Sequence, residues 1–271
     1  MITLFHNSVS TCSQKVRWVL AEKGLEYESR EINLLTGEQH AGWYSKLNPD
    51  HVVPTIVHDD QTFRESSLIM LYLDEVSGPD QLVPTAPADA YRMRFWMHLI
   101  DHRIHSETSV VTFALGPRRL INAQPEQARE AAINQIVDEA ARARRRSVLQ
   151  YGAAAPEFKS AMLHFLKLIA DLEGSLQHSD WLAGSEPTLA DGAVLPYVLR
   201  LQHLDLMSLM GEHPALMHWL SRMVERASFE RAIGCWIPQD RIAFMKNIDL
   251  GERETIRGLI QEVASQTENM A

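Results

Sequence analysis

The strongest constraint on the fold is a change of hydrophobic period across one proline-rich stretch. Gly78-Pro79-Asp80-Gln81-Leu82-Val83-Pro84-Thr85-Ala86-Pro87 holds three prolines and one glycine in ten residues, a composition suited to an inter-domain connection. Before it, strand and helix signals alternate. Ile2 to Phe5 reads as a strand, and Val16, Val19, Leu20 and Lys23 share one helical face that ends at Gly24, a natural helix-closing residue. Glu26 to Ile32 resumes as an extended segment. Val53 to Val57 and Gln61 to Arg64 flank a turn at Asp59-Asp60, and Ser66 to Val76 returns to helical spacing.

That order is βαβ, then a hairpin, then a helix, with helices covering a small mixed sheet in a thioredoxin-like layout. Beyond the prolines every long segment reads helical. Met93, Trp96, Met97, Ile100 and Ile104 recur on one face, as do Met162, Phe165, Leu166 and Ile169. The expected architecture is α/β plus all-α: a thioredoxin-like domain over residues 1–77, a linker over 78–87 and a helical bundle domain over 88–271.

Composition narrows the function. The 271 residues are 45% hydrophobic, yet no apolar run approaches the roughly 18 residues needed to cross a bilayer, so a soluble globular protein is expected and no membrane partner. A net charge of -9 opposes phosphate-backbone binding, which argues against nucleic acid as a partner. Met1-Ile2-Thr3-Leu4-Phe5-His6 lacks a secretory pattern, and a cytoplasmic location is expected. Cys12 and Cys235 are the only cysteines, too few for a disulfide framework or a paired-ligand zinc site. His98-x-x-Asp101-His102 superficially resembles a metalloprotease helix but lacks its glutamate and third ligand, so no metal is expected. The arginines 142 and 144–146 are placed at a helix C-terminus, where cations complement the dipole; a role near an acidic or phenolic substrate group is the alternative.

Three segments carry chemistry. Ser10-Thr11-Cys12-Ser13 lies between the first strand and the first helix. A hydroxyl there, with the helix N-terminus, would lower a bound thiol's pKa; Ser13 as an ordinary N-cap and Cys12 as a small buried residue is the competing reading. Val53-Pro54 opens an extended segment, where a cis proline would leave the preceding N–H and C=O to pair with a peptide-like ligand; a turn proline is the alternative. Glu65-Ser66 precedes a helix, so Ser66 can cap it, while a ligand carboxylate suits its N-terminus and Glu65 suits an ammonium group.

In this order, the three elements resemble the cytosolic glutathione transferase family over nearly the whole chain. Ser10-Thr11-Cys12-Ser13 looks like the Ser-Ser-Cys-Ser motif of zeta-class members, and Gln39-His40, Val53-Pro54 and Glu65-Ser66 look like theta-type contacts. The resemblance implies glutathione as co-substrate. His40 would meet its glycyl carboxylate, Val53 its cysteinyl backbone, and Glu65 with Ser66 its γ-glutamyl group. Val52 stands where theta members carry a lysine, which removes one carboxylate contact. Thr188-Leu189-Ala190-Asp191 resembles the family's folding motif and reads as a capping box.

A closer likeness is to bacterial lignin β-etherases of the same superfamily, through Glu38-Gln39-His40, Trp43, Asn48-Pro49, Val53-Pro54 and His58-Asp59. The C-terminal half agrees too, and the helical insertion with Arg144-Arg145-Arg146 ahead of Pro156 resembles a feature of that group. In its alignment the serine near the thiolate is Ser13, with Cys12 in place of asparagine, whereas zeta and theta spacing selects Ser10. Both serines stay open. The resemblance implies attack of the glutathione thiolate on an electrophilic carbon of a hydrophobic small molecule, with a β-aryl ether as the preferred substrate. Conjugation or dehalogenation of other xenobiotics, a zeta-type isomerisation and a non-catalytic interaction module are the alternatives. It also implies a homodimer, or a heterodimer with a paralogue.

Overall fold

The computed structural model describes residues 1–78, 82–136, 138–209 and 211–268. Strands β1 (Ile2–His6), β2 (Tyr27–Glu31), β3 (Thr55–His58) and β4 (Gln61–Phe63) occur in the first part of the chain with helices α1 (Thr11–Glu22), α2 (Gly42–Ser45) and α3 (Ser66–Val76). Among the described residues every later regular element is helical: α4 (Pro87–Leu99), α5 (His105–Leu115), α6 (Pro117–Asn122), α7 (Glu126–Asn134), α8 (Glu139–Tyr151), α9 (Pro156–Leu176), α10 (Leu189–His203), α11 (Pro214–Glu225), α12 (Ala227–Ala232), α13 (Gln239–Lys246) and α14 (Leu250–Glu268). A π-helical turn, Ile100–Ile104, separates α4 from α5. This is a thioredoxin-like N-terminal domain followed by a helical C-terminal domain. The expected linker includes residues 79–81, which lie outside the described residues. No helix among the described residues is long and apolar enough to cross a membrane.

The backbone forms two compact units, one of Met1–Asp101, Gly174–Val198 and Pro214–Pro238, the other of His102–Glu173, Leu199–His213 and Gln239–Ala271. In the first, the sheet runs β2-β1-β3-β4, with β1 parallel to β2 and antiparallel to β3, and β3 antiparallel to β4. β1 alternates buried and half-buried residues, so Ile2 and Leu4 enter the core beside Val16, Val19, Leu20, Ile56, Ile69 and Leu73. Helix α1 ends as its sequence requires, at Gly24 with φ +61°. Trp18 packs so closely on Gly192 that a Cβ there would collide with the indole ring.

Asp191 is the polar anchor of this unit. Its fully buried carboxylate accepts the Thr188 N–H at 2.8 Å, the Trp219 indole N–H at 2.8 Å and the Leu182 N–H at 3.1 Å. The capping box is thus a junction for three segments.

Within the second unit, Met162, Phe165 and Ile169 on α9 are fully buried, as their spacing predicts, together with Phe158, while Leu166 from the same expected face is half-buried. Arg118 pairs with Glu252 at 2.7 Å, and the same carboxylate accepts the Ala153 N–H at 2.7 Å, fastening α14 to the turn after α8. The arginine cluster departs from expectation: residues 142–146 occupy the middle of α8, not its C-terminus. Helix α8 continues through Val148, which is buried, so packing carries the helix past its charged stretch. Arg146 pairs with Glu130 at 2.9 Å, while Arg145 lies over the Phe113 ring.

Two buried cations, Lys15 and Arg17, tie α1 to its surroundings. Arg17 donates to the Ala232, Asn7 and Ser8 carbonyls and to His6 Nδ1. Because Nδ1 accepts, the His6 proton sits on Nε2 and donates to Ser29 Oγ at 2.8 Å. Burial, reinforced by the Arg17 charge, lowers the His6 pKa to about 4. The unfolded imidazole titrates near 6.5, so between about pH 6.5 and 4 the unfolded chain holds a proton the folded chain refuses. The stability present above that window is therefore lost as pH falls through it, by about 3 kcal/mol for this group. Denaturant titrations of the wild type and His6→Gln between pH 7 and 4.5 should show the steeper loss in the wild type; parallel pH profiles would refute the assignment.

Candidate functional site

The sheet register gathers the expected site residues at one end. β1 and β2 run parallel with His6 opposite Glu31, Phe5 lies opposite Thr55, and Ile56 lies opposite Phe63. The C-terminal ends of β1, β2 and β4 and the N-terminal end of β3 therefore share an edge. From it emerge the loop with Ser10, the segment with Gln39 and His40, Val53-Pro54, and Glu65-Ser66. Hydrogen bonds hold the corner: Asn7 Nδ2 donates to the Ile32 carbonyl at 3.0 Å and the Ile32 N–H to the His6 carbonyl at 2.7 Å.

The two serines at α1 have separate roles. Ser10 is the N-cap, half-buried, and its hydroxyl accepts the Ser13 N–H at 3.3 Å. Ser13 is fully buried, its Oγ accepting the Asn7 N–H at 3.2 Å. Ser10 thus retains surface while Ser13 braces the loop from below. The first turn of α1 contains no acidic residue, so the positive end of its dipole is not neutralised from within. Cys12 is half-buried with Sγ 3.7 Å from Tyr197 Oη. Burial, then the neighbouring Cys12, pushes the Tyr197 phenol well above its usual range, which keeps it protonated.

A second cluster surrounds residues 39–55. Gln39 Nε2 lies 3.1 Å from His40 Nε2, and His51 Nδ1 lies 3.2 Å from the Gln39 carbonyl. The network makes His40 Nε2 an acceptor and His51 Nδ1 a donor. The two imidazole rings are 5.2 Å apart, and burial followed by the His51 charge lowers the His40 pKa. His51 was missed in the sequence reading; its signal was its position just ahead of Val52, where the resemblance shows a lysine missing. Beneath, Tyr44 Oη and Asn48 Nδ2 donate to the Val52 carbonyl at 2.6 and 2.9 Å, and both meet Thr55 Oγ1 at 3.0 Å. This buried polar knot sets the path of Val53-Pro54, whose peptide bond is cis.

At α3 one local expectation is corrected. Glu65, not Ser66, occupies the N-cap position, and no side chain caps the helix. Glu65 takes φ +67°, a left-handed value uncommon for glutamate, which turns the chain sharply and makes Ser66 the first helical residue. Glu65 also borders an open cavity of about 420 Å³ with Asp50, Thr62, Phe63, Arg64 and Leu68. Among the described residues no group of three histidine, cysteine or carboxylate side chains could hold a metal ion.

A thioredoxin-like sheet presenting these loops, followed by a helical domain, defines the two-domain class of the cytosolic glutathione transferases. Residues 9–76 match the glutathione S-transferase N-terminal domain and residues 128–227 the C-terminal domain. The chain belongs to the glutathione S-transferase family. It is 28% identical over 224 residues to protein LigF of a Sphingobium species, covering 78% of this chain and 84% of that protein. It is 25% identical to a stringent starvation protein A homolog of Haemophilus ducreyi, covering 88% of this chain and 92% of the relative. It is 26% identical to the tetrachloro-p-hydroquinone reductive dehalogenase of Sphingobium chlorophenolicum, covering 85% and 95%. The crystal structure of beta-etherase LigF from Sphingobium sp. strain SYK-6 superposes with a TM-score of 0.77 at 24% identity, over 86% of this chain and 99% of that one.

The two serines should separate in stability. Ser10→Ala removes a cap and should cost about 1 kcal/mol. Ser13→Ala strands the Asn7 N–H in a buried site and should cost about 1 to 3 kcal/mol. Equilibrium unfolding in denaturant checks the order, and a larger loss for Ser10→Ala would contradict it.

Proposed function

We propose that this chain binds glutathione at the shared end of the sheet and joins its sulfur to an electrophilic carbon of an apolar aromatic substrate. One observation carries the reading: the strand register brings Ser10, His40, Val53, Glu65 and Ser66 to one edge. A tripeptide with two carboxylates, an ammonium and a thiol suits that edge. The glycyl carboxylate would meet His40, aided by Gln39 and His51. Val53 and Pro54 would align the cysteinyl backbone, and Glu65 with the α3 N-terminus at Ser66 would take the γ-glutamyl end. The glutathione-binding domain on this reading is residues 1–77 and the substrate domain residues 88–271.

We assign the thiolate to Ser10, because its hydroxyl keeps surface at the helix N-terminus while the Ser13 hydroxyl is fully buried. A donated hydrogen bond and the α1 dipole favour the thiolate over the thiol. Glutathione loses its proton to solvent. The sulfur lone pair then forms a C–S bond as the C–O bond of a β-aryl ether breaks, and the aryl oxide leaves with the bonding electrons. Holding both reactants supplies much of the rate through proximity. A similar protein described as a beta-etherase supports cleavage of an ether, and one named as a tetrachloro-p-hydroquinone reductive dehalogenase supports an aromatic substrate. Pairing as a homodimer, or with a paralogue, is part of this reading, and a monomer in light scattering would count against it.

Two measurements test the site. Calorimetry should detect saturable glutathione binding that Glu65→Gln weakens by roughly 10-fold or more, since a charge-assisted hydrogen bond to the ammonium is worth about 1.5 to 3 kcal/mol; unchanged affinity would remove Glu65. Thiolate absorbance titrated against pH should show Ser10→Ala raising the bound thiol pKa, with turnover of aryl ethers down about 10- to 1000-fold. If Ser13→Ala alone moves the titration, the assignment passes to Ser13.

A further inference from the structure

Lys15 lies in α1, fully buried, with Nζ 2.7 Å from Ser67 Oγ and 2.7 Å from Asp101 Oδ1. Ser67 is the second residue of α3, directly after Ser66. The ammonium is thus held against the positive end of the α3 dipole, where a cation is disfavoured. Burial adds a further cost, which only close pairing offsets. Asp101 supplies that pairing from the π-helical turn Ile100–Ile104, and its side chain keeps 31% exposure, so it screens the charge only in part. The first turn of α3 carries no acidic residue that would neutralise it further.

A cation kept at the wrong end of a helix makes sense where an anion is to be bound beside it. We propose that Lys15 is a positioning residue for the γ-glutamyl α-carboxylate of glutathione: it fixes the α3 N-terminus through Ser67 and adds a buried positive charge behind Ser66 without touching the ligand. This rests on the glutathione site described above.

The experiment compares glutathione with its analogue lacking the α-carboxylate, γ-aminobutyryl-cysteinylglycine, by calorimetry on the purified full chain. Lys15→Met should weaken glutathione about 10-fold, as expected for one partly screened charge, and leave the analogue's affinity unchanged. Lys15→Arg should recover most of the loss. Equal weakening of both ligands would make Lys15 a strut of the fold and overturn the proposal, as would unchanged affinity for both. If Lys15→Met does not fold because Asp101 is left unpaired, Lys15→Met with Asp101→Asn removes both charges together, and the same selective loss is expected. A wild type that binds neither ligand would overturn the glutathione reading itself, whereas wild-type binding with no selective loss overturns Lys15 alone.

Discussion

Burying the Arg17 guanidinium obliges the backbone around it to give up its carbonyls. Among the described residues no carboxylate pairs with it; the Ala232, Asn7 and Ser8 carbonyls and a neutral His6 accept its protons, and the Trp236 ring lies 5.0 Å from it. Burial lowers its pKa to about 10, still far above neutrality, so the charge persists and the oxygens must stay in place. The loop between β1 and α1 is held by this demand. So is the segment after α12, which closes on the same side chain. Ser10 caps α1 at the end of a loop whose path the guanidinium dictates, and the local chemistry of the site begins there.

Much of the fold was legible because it follows from period and punctuation. β1, α1, Gly24, the hairpin and α3 each announce themselves through spacing or a turn residue, and a parallel crossover ahead of a hairpin leaves few topologies. The strand boundaries shifted where tertiary contacts override propensity: Val53 and Pro54 precede β3 because Tyr44 and Asn48, themselves tied to Thr55, hold the Val52 carbonyl outside the sheet. The arginines of α8 misled for a different reason. A charged run resembles a helix end only when nothing apolar follows, and Val148 anchors another turn beyond it.

The site was legible in its residues but not in their depth. Ser10 and Ser13 are both small hydroxyls beside a helix, and the three-residue offset that makes one a cap and the other an internal brace appears only once the N-cap is known. Ser66 was displaced from the cap by the positive φ of Glu65, a backbone choice that residue type does not advertise. His51 and Lys15 were invisible for opposite reasons. His51 depends on a ring approaching from eleven residues away, and Lys15 looks like an ordinary surface lysine until Ser67 and Asp101 close over it.

Family membership leaves the reaction to the site. A protein named for stringent starvation, one named as a dehalogenase and one described as a beta-etherase are all similar to this chain at 25 to 28% identity, so the shared fold cannot choose among them. What separates a ligand site from a scaffold is the cost of keeping polar groups where packing alone would not want them. Glu65 holds a left-handed conformation, and Lys15 is buried against a helix N-terminus. Each is disfavoured alone. On the proposed reading both act on one small charged ligand. Beside them the α1 N-terminus carries no acidic residue in its first turn, so on the proposed reading Glu65 faces the ammonium of glutathione, the Lys15 charge lies behind its γ-glutamyl carboxylate and the α1 dipole favours its thiolate.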